Sequence, residues 1–242
     1  MLSRYNSMKE LTISIPTTLR DIKLKEWQKF QAILDKNKDN EDNNFLNLKM
    51  LQIFCGMDLN EVNNIPLESF EGILEHLNDI FSVKNERINT FKLKGTDGVE
   101  VQFGLIPNLD EMTYGEYTDL ESYIYDHKNA HRAMAVLYRP VQYKKGETYH
   151  IQRYKGSDHL AEVMKDAPLD VYLGVQVFFY DLATKLSLYT MDYTLQQLEM
   201  KEEANSGKVS DKSGENTKQS IHLHREMLQG LIELQKSTYI KP

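Results

Sequence analysis

Two histidines four residues apart, His127 and His131, are the first residues whose spacing could serve chemistry. On a helix, residues at i and i+4 share a face, which is how paired histidines present themselves to zinc. Between them stand Lys128, Asn129 and Ala130, with no glutamate in the general-base position of an H-E-x-x-H motif, and no third ligand can be nominated. His222 and His224 stand two apart and fall on different helix faces, a poor chelate unless that segment is extended. Surface histidines are the better account of both pairs. An enzymatic site assembled from dispersed residues would need His131 or His159 beside a carboxylate, and is the least favoured reading.

The densest carboxylates, Glu111, Glu116, Asp119 and Glu121, could serve acid–base work or Mg²⁺. They lie at the start of a predicted helix, where negative side chains meet the helix dipole favourably. Asp110 followed by Thr113 has the form of turn and cap chemistry. Glu116 or Asp119 could pair with Arg139, and a buried bidentate pair would pin a hairpin to the helices. The structural reading is the stronger one. The stretch 143–155 interleaves Lys144, Lys145, Arg153 and Lys155 with Tyr143, Tyr149 and Tyr154, a mix that can bind single-stranded nucleic acid. On a two-sided hairpin such a mix is more often an exposed face or a protein contact. Cys55, the single cysteine, excludes an internal disulfide and a thiolate cluster, and its apolar setting LQIFCG predicts a buried, inert thiol. No G-x-S-x-G, Walker-type loop or G-x-G-x-x-G occurs. No catalytic, cofactor-binding or metal residue is therefore assigned, and no cofactor or enzymatic activity is expected.

The elements that would position these residues follow from periodicity. Residues 11–15, LTISI, alternate as a short strand closed by Pro16. Thr18 or Asp21 can cap a helix through about Asp35 carrying Leu24, Trp27, Phe30, Ile33 and Leu34 on one stripe. Helices are predicted from Phe45 to a stop at Gly56, and after Pro66 with Phe70, Ile73, Leu74, Leu77 and Phe81 facing inward. Residues 90–95 and 99–104 alternate with period two around Thr96-Asp97-Gly98, a hairpin. Helices at about 113–126 and 128–138 end at Arg139-Pro140, a second hairpin turns at Lys145-Gly146 within 142–154, and Ser157 caps a short helix before Pro168. Isolated Gly115 and Gly174 predict close packing or a kink. From Leu169 to about Glu203 runs the longest candidate helix, apolar nearly all round between Val171 and Tyr193. A polar linker, 204–219, precedes an amphipathic helix from Ile221 to about Leu234, which has the form of a docking element.

The expected fold is α+β, predominantly α-helical: a helical bundle with one or two β-hairpins, a long apolar helix and a tethered C-terminal helix. The expected divisions are a strand and bundle over 1–88, a hairpin-and-helix core over 89–203, the linker and the docking helix over 220–242. A single domain over 1–203 is the alternative. A formal charge of −7 argues against a duplex nucleic acid as main partner. No sustained apolar h-region opens the chain, and the longest apolar run, Val171–Tyr180, is too short for a bilayer, so a soluble protein made in a reducing cytoplasm is expected. Fourteen tyrosines against one tryptophan suit amphipathic contact surfaces.

The blocks GLIPNLDEMTYGEYTDLESY, AMAVLYRPV and APLDVYLGVQVFFYDL resemble a family of tailed-bacteriophage proteins, particularly of crAss-like and related phages of the Bacteroidetes. The resemblance covers most of 11–195 and leaves out the tail beyond about 200. It implies a virion-morphogenesis product (a head–tail connector, neck or tail component, or an assembly chaperone) and carries over no catalytic residues. The expectation is a non-enzymatic structural protein of the virion, in a homo-oligomeric ring or collar that meets portal or tail proteins. The alternative is a tail-assembly chaperone absent from the finished particle.

Overall fold

The first fixed point of the chain is a carboxylate that closes a turn. Asp21 Oδ2 accepts from the Thr17 N–H at 3.0 Å, the Thr17 hydroxyl at 2.8 Å and the Thr18 N–H at 2.9 Å, bracketing a 3₁₀ turn at Leu19–Asp21. The helix itself, α1 (Leu24–Lys36), starts three residues later, where Glu26 Oε2 accepts the Lys23 N–H at 2.9 Å. The delay arises because Leu24 N–H and Lys25 N–H donate to the carbonyls of Ala167 and Lys165, while Leu169 N–H donates to Ile22 O, each at 2.9 Å. This link sews the start of α1 to residues 165–169, and Leu24 and Leu169 are both fully buried there.

In this computed structural model the described residues are 13–38, 43–95, 98–108, 112–124, 126–146, 148–177, 194–197 and 200. The chain divides into two compact units, Met1–Gly174 and Val175–Pro242. In the first, α2 (Asn43–Phe54) ends before Gly56, whose φ of +67° gives the predicted stop. A short helix, α3 (Leu59–Asn63), is capped by Asp58, whose Oδ1 accepts from Glu61 N–H at 2.8 Å while Glu61 Oε2 accepts the Asp58 N–H at 2.7 Å. Then comes α4 (Leu67–Ser82), which buries Ile73, Leu77 and Ile80. Phe54 bridges the layers, its ring 5.2 Å from Phe30 and 5.1 Å from Phe81.

Strands β1 (Thr90–Lys94) and β2 (Glu100–Leu105) form the first predicted hairpin, with Phe91 opposite Phe103. Helices α5 (Tyr114–Tyr123) and α6 (Ala130–Leu137) follow, joined through a 3₁₀ turn at His127–Asn129. Strand β3 (Tyr138–Lys145) begins at the residue after α6 and pairs with β2, placing Arg139 opposite Gly104. Strand β4 (Thr148–Ile151) completes one antiparallel sheet of order β1-β2-β3-β4, and Gly146 turns the second hairpin at φ +60°. Helix α7 (Asp158–Met164) starts at Ser157, and α8 covers 169–177. Tyr138, fully buried, sets its ring 5.2 Å from that of Phe91 at the heart of the sheet.

The fold is thus helices with one antiparallel four-stranded sheet, the α+β class expected. Three expectations are corrected. Residues 13–15 form no strand: Pro16 is buried and its carbonyl lies 3.0 Å from His76 Nε2 on α4, so the segment leans on a helix and not on a sheet edge. The second hairpin begins at Tyr138 and not at 142, because Tyr138-Arg139-Pro140 joins β2 and merges the two hairpins into one sheet, while the helix before it ends at Leu137, about where expected. Gly115 meets no neighbour within 4 Å, so neither close packing nor crowding explains it. Gly174 does sit in a tight contact, where a Cβ would fall 2.1 Å from the carbonyl oxygen of Glu86. Of the expected long helix over 169–203, the described parts 169–177 and 194–197 are helical, and no helix of that length or apolarity stands among the described residues. The linker 204–219 and the helix 221–234 lie outside the described residues. Among the described residues no helix is long and apolar enough to cross a membrane.

Candidate functional site

The carboxylate block of α5 resolves into a buried knot. Thr113 caps the helix, and Glu116 turns back on it: Oε2 accepts from the Thr113 N–H at 2.6 Å and from its hydroxyl at 2.7 Å. The other oxygen, Oε1, lies 2.6 Å from Arg139 Nη2, with the Glu116 and Arg139 side chains only 5% and 7% exposed. Arg139 stands in β3 opposite Gly104 of β2, where the Tyr149 ring covers the glycine. The expected bidentate geometry does not occur, since Thr113 takes the second carboxylate oxygen. The Tyr154 ring, just beyond β4, covers the guanidinium at 5.6 Å from its centroid, and the phenol donates a short hydrogen bond to Asp119 Oδ2.

Electrostatics fix the protonation states. Burial works to raise the Glu116 carboxyl, but the Thr113 hydroxyl, the Thr113 backbone N–H and the Arg139 guanidinium together outweigh it and hold it below the ordinary carboxylate value. Burial, and next Asp119, push the Tyr154 phenol well above its usual range. Glu116 is therefore an ionised acceptor with both oxygens engaged, and Tyr154 a neutral donor. A proton-transfer catalyst needs a group poised near ambient pH and open to substrate. The knot instead ties α5, β3 and the strand exit at Tyr154 together.

The histidines divide differently from their spacing. His127 occupies the 3₁₀ turn and points Nε2 to within 3.1 Å of Asp35 Oδ2 at the end of α1. His131, on α6, has Nδ1 3.1 Å from Gln28 Nε2, which also donates to the carbonyls of His127 at 2.8 Å and Lys128 at 3.0 Å. The two rings thus serve as anchors for α1, and neither is the free surface residue that the sequence reading favoured. Burial, and then the positive charges of Lys165 and Arg132, lower the His131 pKa against an opposing pull from Glu162. His159 is exposed, whereas His222, His224 and Glu111 lie outside the described residues. Among the described residues no group of three His, Cys, Asp or Glu side chains converges as a metal site. Cys55 is buried, and burial raises its thiol to about 11, so it is held as the unreactive acid.

Tyr138 was not singled out by spacing, and Tyr149 only as part of the basic stretch. The Tyr138 hydroxyl donates to Ile88 O at 2.6 Å, and that of Tyr149 lies 2.9 Å from Leu105 O and 3.3 Å from Asn89 O, so both hold the connection between α4 and β1 to the sheet. The Tyr149 ring covers Gly104, and Tyr154 belongs to the knot, which leaves Tyr143 as the exposed aromatic of the basic hairpin at 57%. Behind the clamp runs an open groove of about 510 Å³ whose lining includes Leu19, Arg20, Ile80, Lys84 and Asp170. Its most evident charges are already paired, Arg20 Nε lying 3.0 Å from Asp170 Oδ2. Outward, α5 presents Tyr114 and Tyr117, 84% and 54% exposed. The chain matches no protein-family model, no curated protein and no solved structure.

Proposed function

We propose that the chain is a non-enzymatic structural protein of a tailed-bacteriophage virion, a ring or collar component near the portal or tail that acts through contacts between subunits. The observation that carries this reading is the knot at Glu116, Arg139 and Tyr154. The most chemically suggestive block of the sequence has both oxygens of its central carboxylate engaged in holding elements together, while the same helix turns Tyr114 and Tyr117 outward. Large exposed aromatics are the residue type that protein contacts favour. The virion context comes from the three sequence blocks, which span the end of β2 through α5, the passage from α6 into β3, and the start of α8. The long apolar stretch of 169–203 and the amphipathic pattern of 221–234 would supply the apolar part of repeated subunit contacts.

The direct test is mass spectrometry of purified particles together with the oligomeric mass of the isolated protein. A virion component is present in the particle at a fixed multiple of the portal copy number. Its complete absence from particles that need it for assembly would make it an assembly chaperone instead.

A further inference from the structure

Two faces of the first unit carry charges with no ion-pair partner among the described residues. On α4, Glu68, Glu71, Glu75 and Asp79 are all exposed and follow one another at three, four and four residues. They form a single acidic ladder opposite the buried Ile73, Leu77 and Ile80, about 16 Å long at ~1.5 Å per residue. The second is the β3–β4 hairpin, where Lys144 and Lys145, on opposite sides of the end of β3, and Arg153 and Lys155 beyond β4 are exposed. Some other fixed charges of this unit find partners, as in Lys25–Asp166 at 2.7 Å, Arg132–Asp158 at 2.6 Å and Lys92–Glu100 at 2.8 Å. Like charges at i and i+3 or i+4 of a helix repel, so the acidic ladder is less favourable alone than against a basic surface. Each also carries a large exposed apolar group, Leu67 (70%) at the head of the ladder and Tyr143 (57%) on the hairpin, beside the His150 ring at 6.3 Å.

We infer that these faces bind each other between copies: the basic hairpin of one chain docks on the acidic α4 ladder of the next. The inference rests on the reading of the chain as a self-associating ring component and names the contact. The two surfaces are different, so the contact is heterologous and propagates head to tail, closing into a ring where the rotation permits. The charges set register and orientation and make the contact weaken with salt, while Leu67 and Tyr143 supply a dry centre that exposed ion pairs alone lack.

The test is a charge swap in the full-length protein, with assembly followed by light scattering across concentration at low ionic strength and folding checked by circular dichroism. The pair Glu71→Lys and Glu75→Lys, or the pair Lys144→Glu and Lys145→Glu, replaces two attractions with two repulsions. Either should raise the apparent dissociation constant about thirtyfold. All four substitutions in one chain restore the parent net charge and opposite faces, and should return assembly to within about threefold of the parent. If the parent assembles but neither double variant changes its mass curve, this contact is wrong and the ring reading stands. If the lysine variant loses only affinity for a single-stranded oligonucleotide, with assembly unaltered, the hairpin is a nucleic-acid surface and the inference is overturned. A parent chain that stays monomeric at every concentration and salt level overturns both.

Discussion

Removing one member of the Glu116–Arg139 pair leaves the other charge stranded among apolar neighbours, whereas removing both does not. Arg139→Met should therefore cost about 3–5 kcal/mol of folding stability, and Arg139→Met combined with Glu116→Leu markedly less. Urea denaturation of the two variants measures the difference. The pair also sets an acid limb. Because the folded-state value of Glu116 lies below its ordinary 4.5, the stabilisation is complete above about pH 4.5 and is lost as pH falls through the lowered folded value. Glu116→Gln should flatten that limb. His131 works at a higher pH. Its folded value is lowered from 6.5, so folding favours the neutral ring. Its contribution is complete above about pH 6.5, shrinks as pH falls below that, and levels off beneath the folded value. Protonation places an N–H at Nδ1 against the Gln28 amide, with Lys165 and Arg132 adding repulsion and Glu162 opposing it. His131→Asn should remove this slope from a stability profile between pH 5 and 8, a window in which histidine is the side chain that ordinarily titrates. At this scale the sequence was partly legible. Arg139 could be matched to Glu116 or Asp119, and the structure selects Glu116. The Tyr154–Asp119 bond spans 35 residues and depends on a strand exit that no local pattern marks.

Two glycines test how the elements are pressed together. At Gly174 on α8 a Cβ would fall 2.1 Å from the Glu86 carbonyl oxygen, which is backbone and cannot rotate aside. At Gly104 on β2 it would meet the Tyr149 ring at 2.6 Å, and a ring can swing at the cost of its hydrogen bond to Leu105 O. Gly174→Ala should destabilise by at least the ~1–3 kcal/mol of an overpacked core, and Gly104→Ala by less, as thermal or urea midpoints will report. The helices were legible because Ile73, Leu77 and Phe81, or Leu48, Leu51 and Phe54, repeat at helical spacing, and Gly56 and Gly146 stand where a positive φ is needed. Helix α3 carries a signal readable in the sequence, the Asp58…Glu61 capping box. The passage from α6 to β3 carried only the helix stop at Arg139-Pro140, with no mark of a strand starting at Tyr138. Leu137 and Tyr138 are joined without a turn residue, and only pairing with Leu105 on β2 decides that Tyr138 is extended. Residues 13–15 failed in the opposite sense, since alternation alone cannot supply a sheet edge to pair with.

At the scale of the whole molecule, the first unit combines a core tied by the Glu116–Arg139 pair with outward features that have no partner inside it: Tyr114, Tyr117, the acidic ladder of α4 and the basic hairpin. Composition forecast a non-duplex partner and tyrosine-rich contacts, but charge separation onto two faces becomes visible only when α4 and β3–β4 are folded. Our proposal is that this chain functions by associating with copies of itself. The most direct measurement is the absolute mass of the purified protein in solution by light scattering, with and without residues 204–242. A discrete closed oligomer is expected for the full chain, dissociating when 204–242 are removed if the amphipathic sequence 221–234 docks on a neighbour. A full-length chain that remains a monomer at all concentrations and ionic strengths would contradict it.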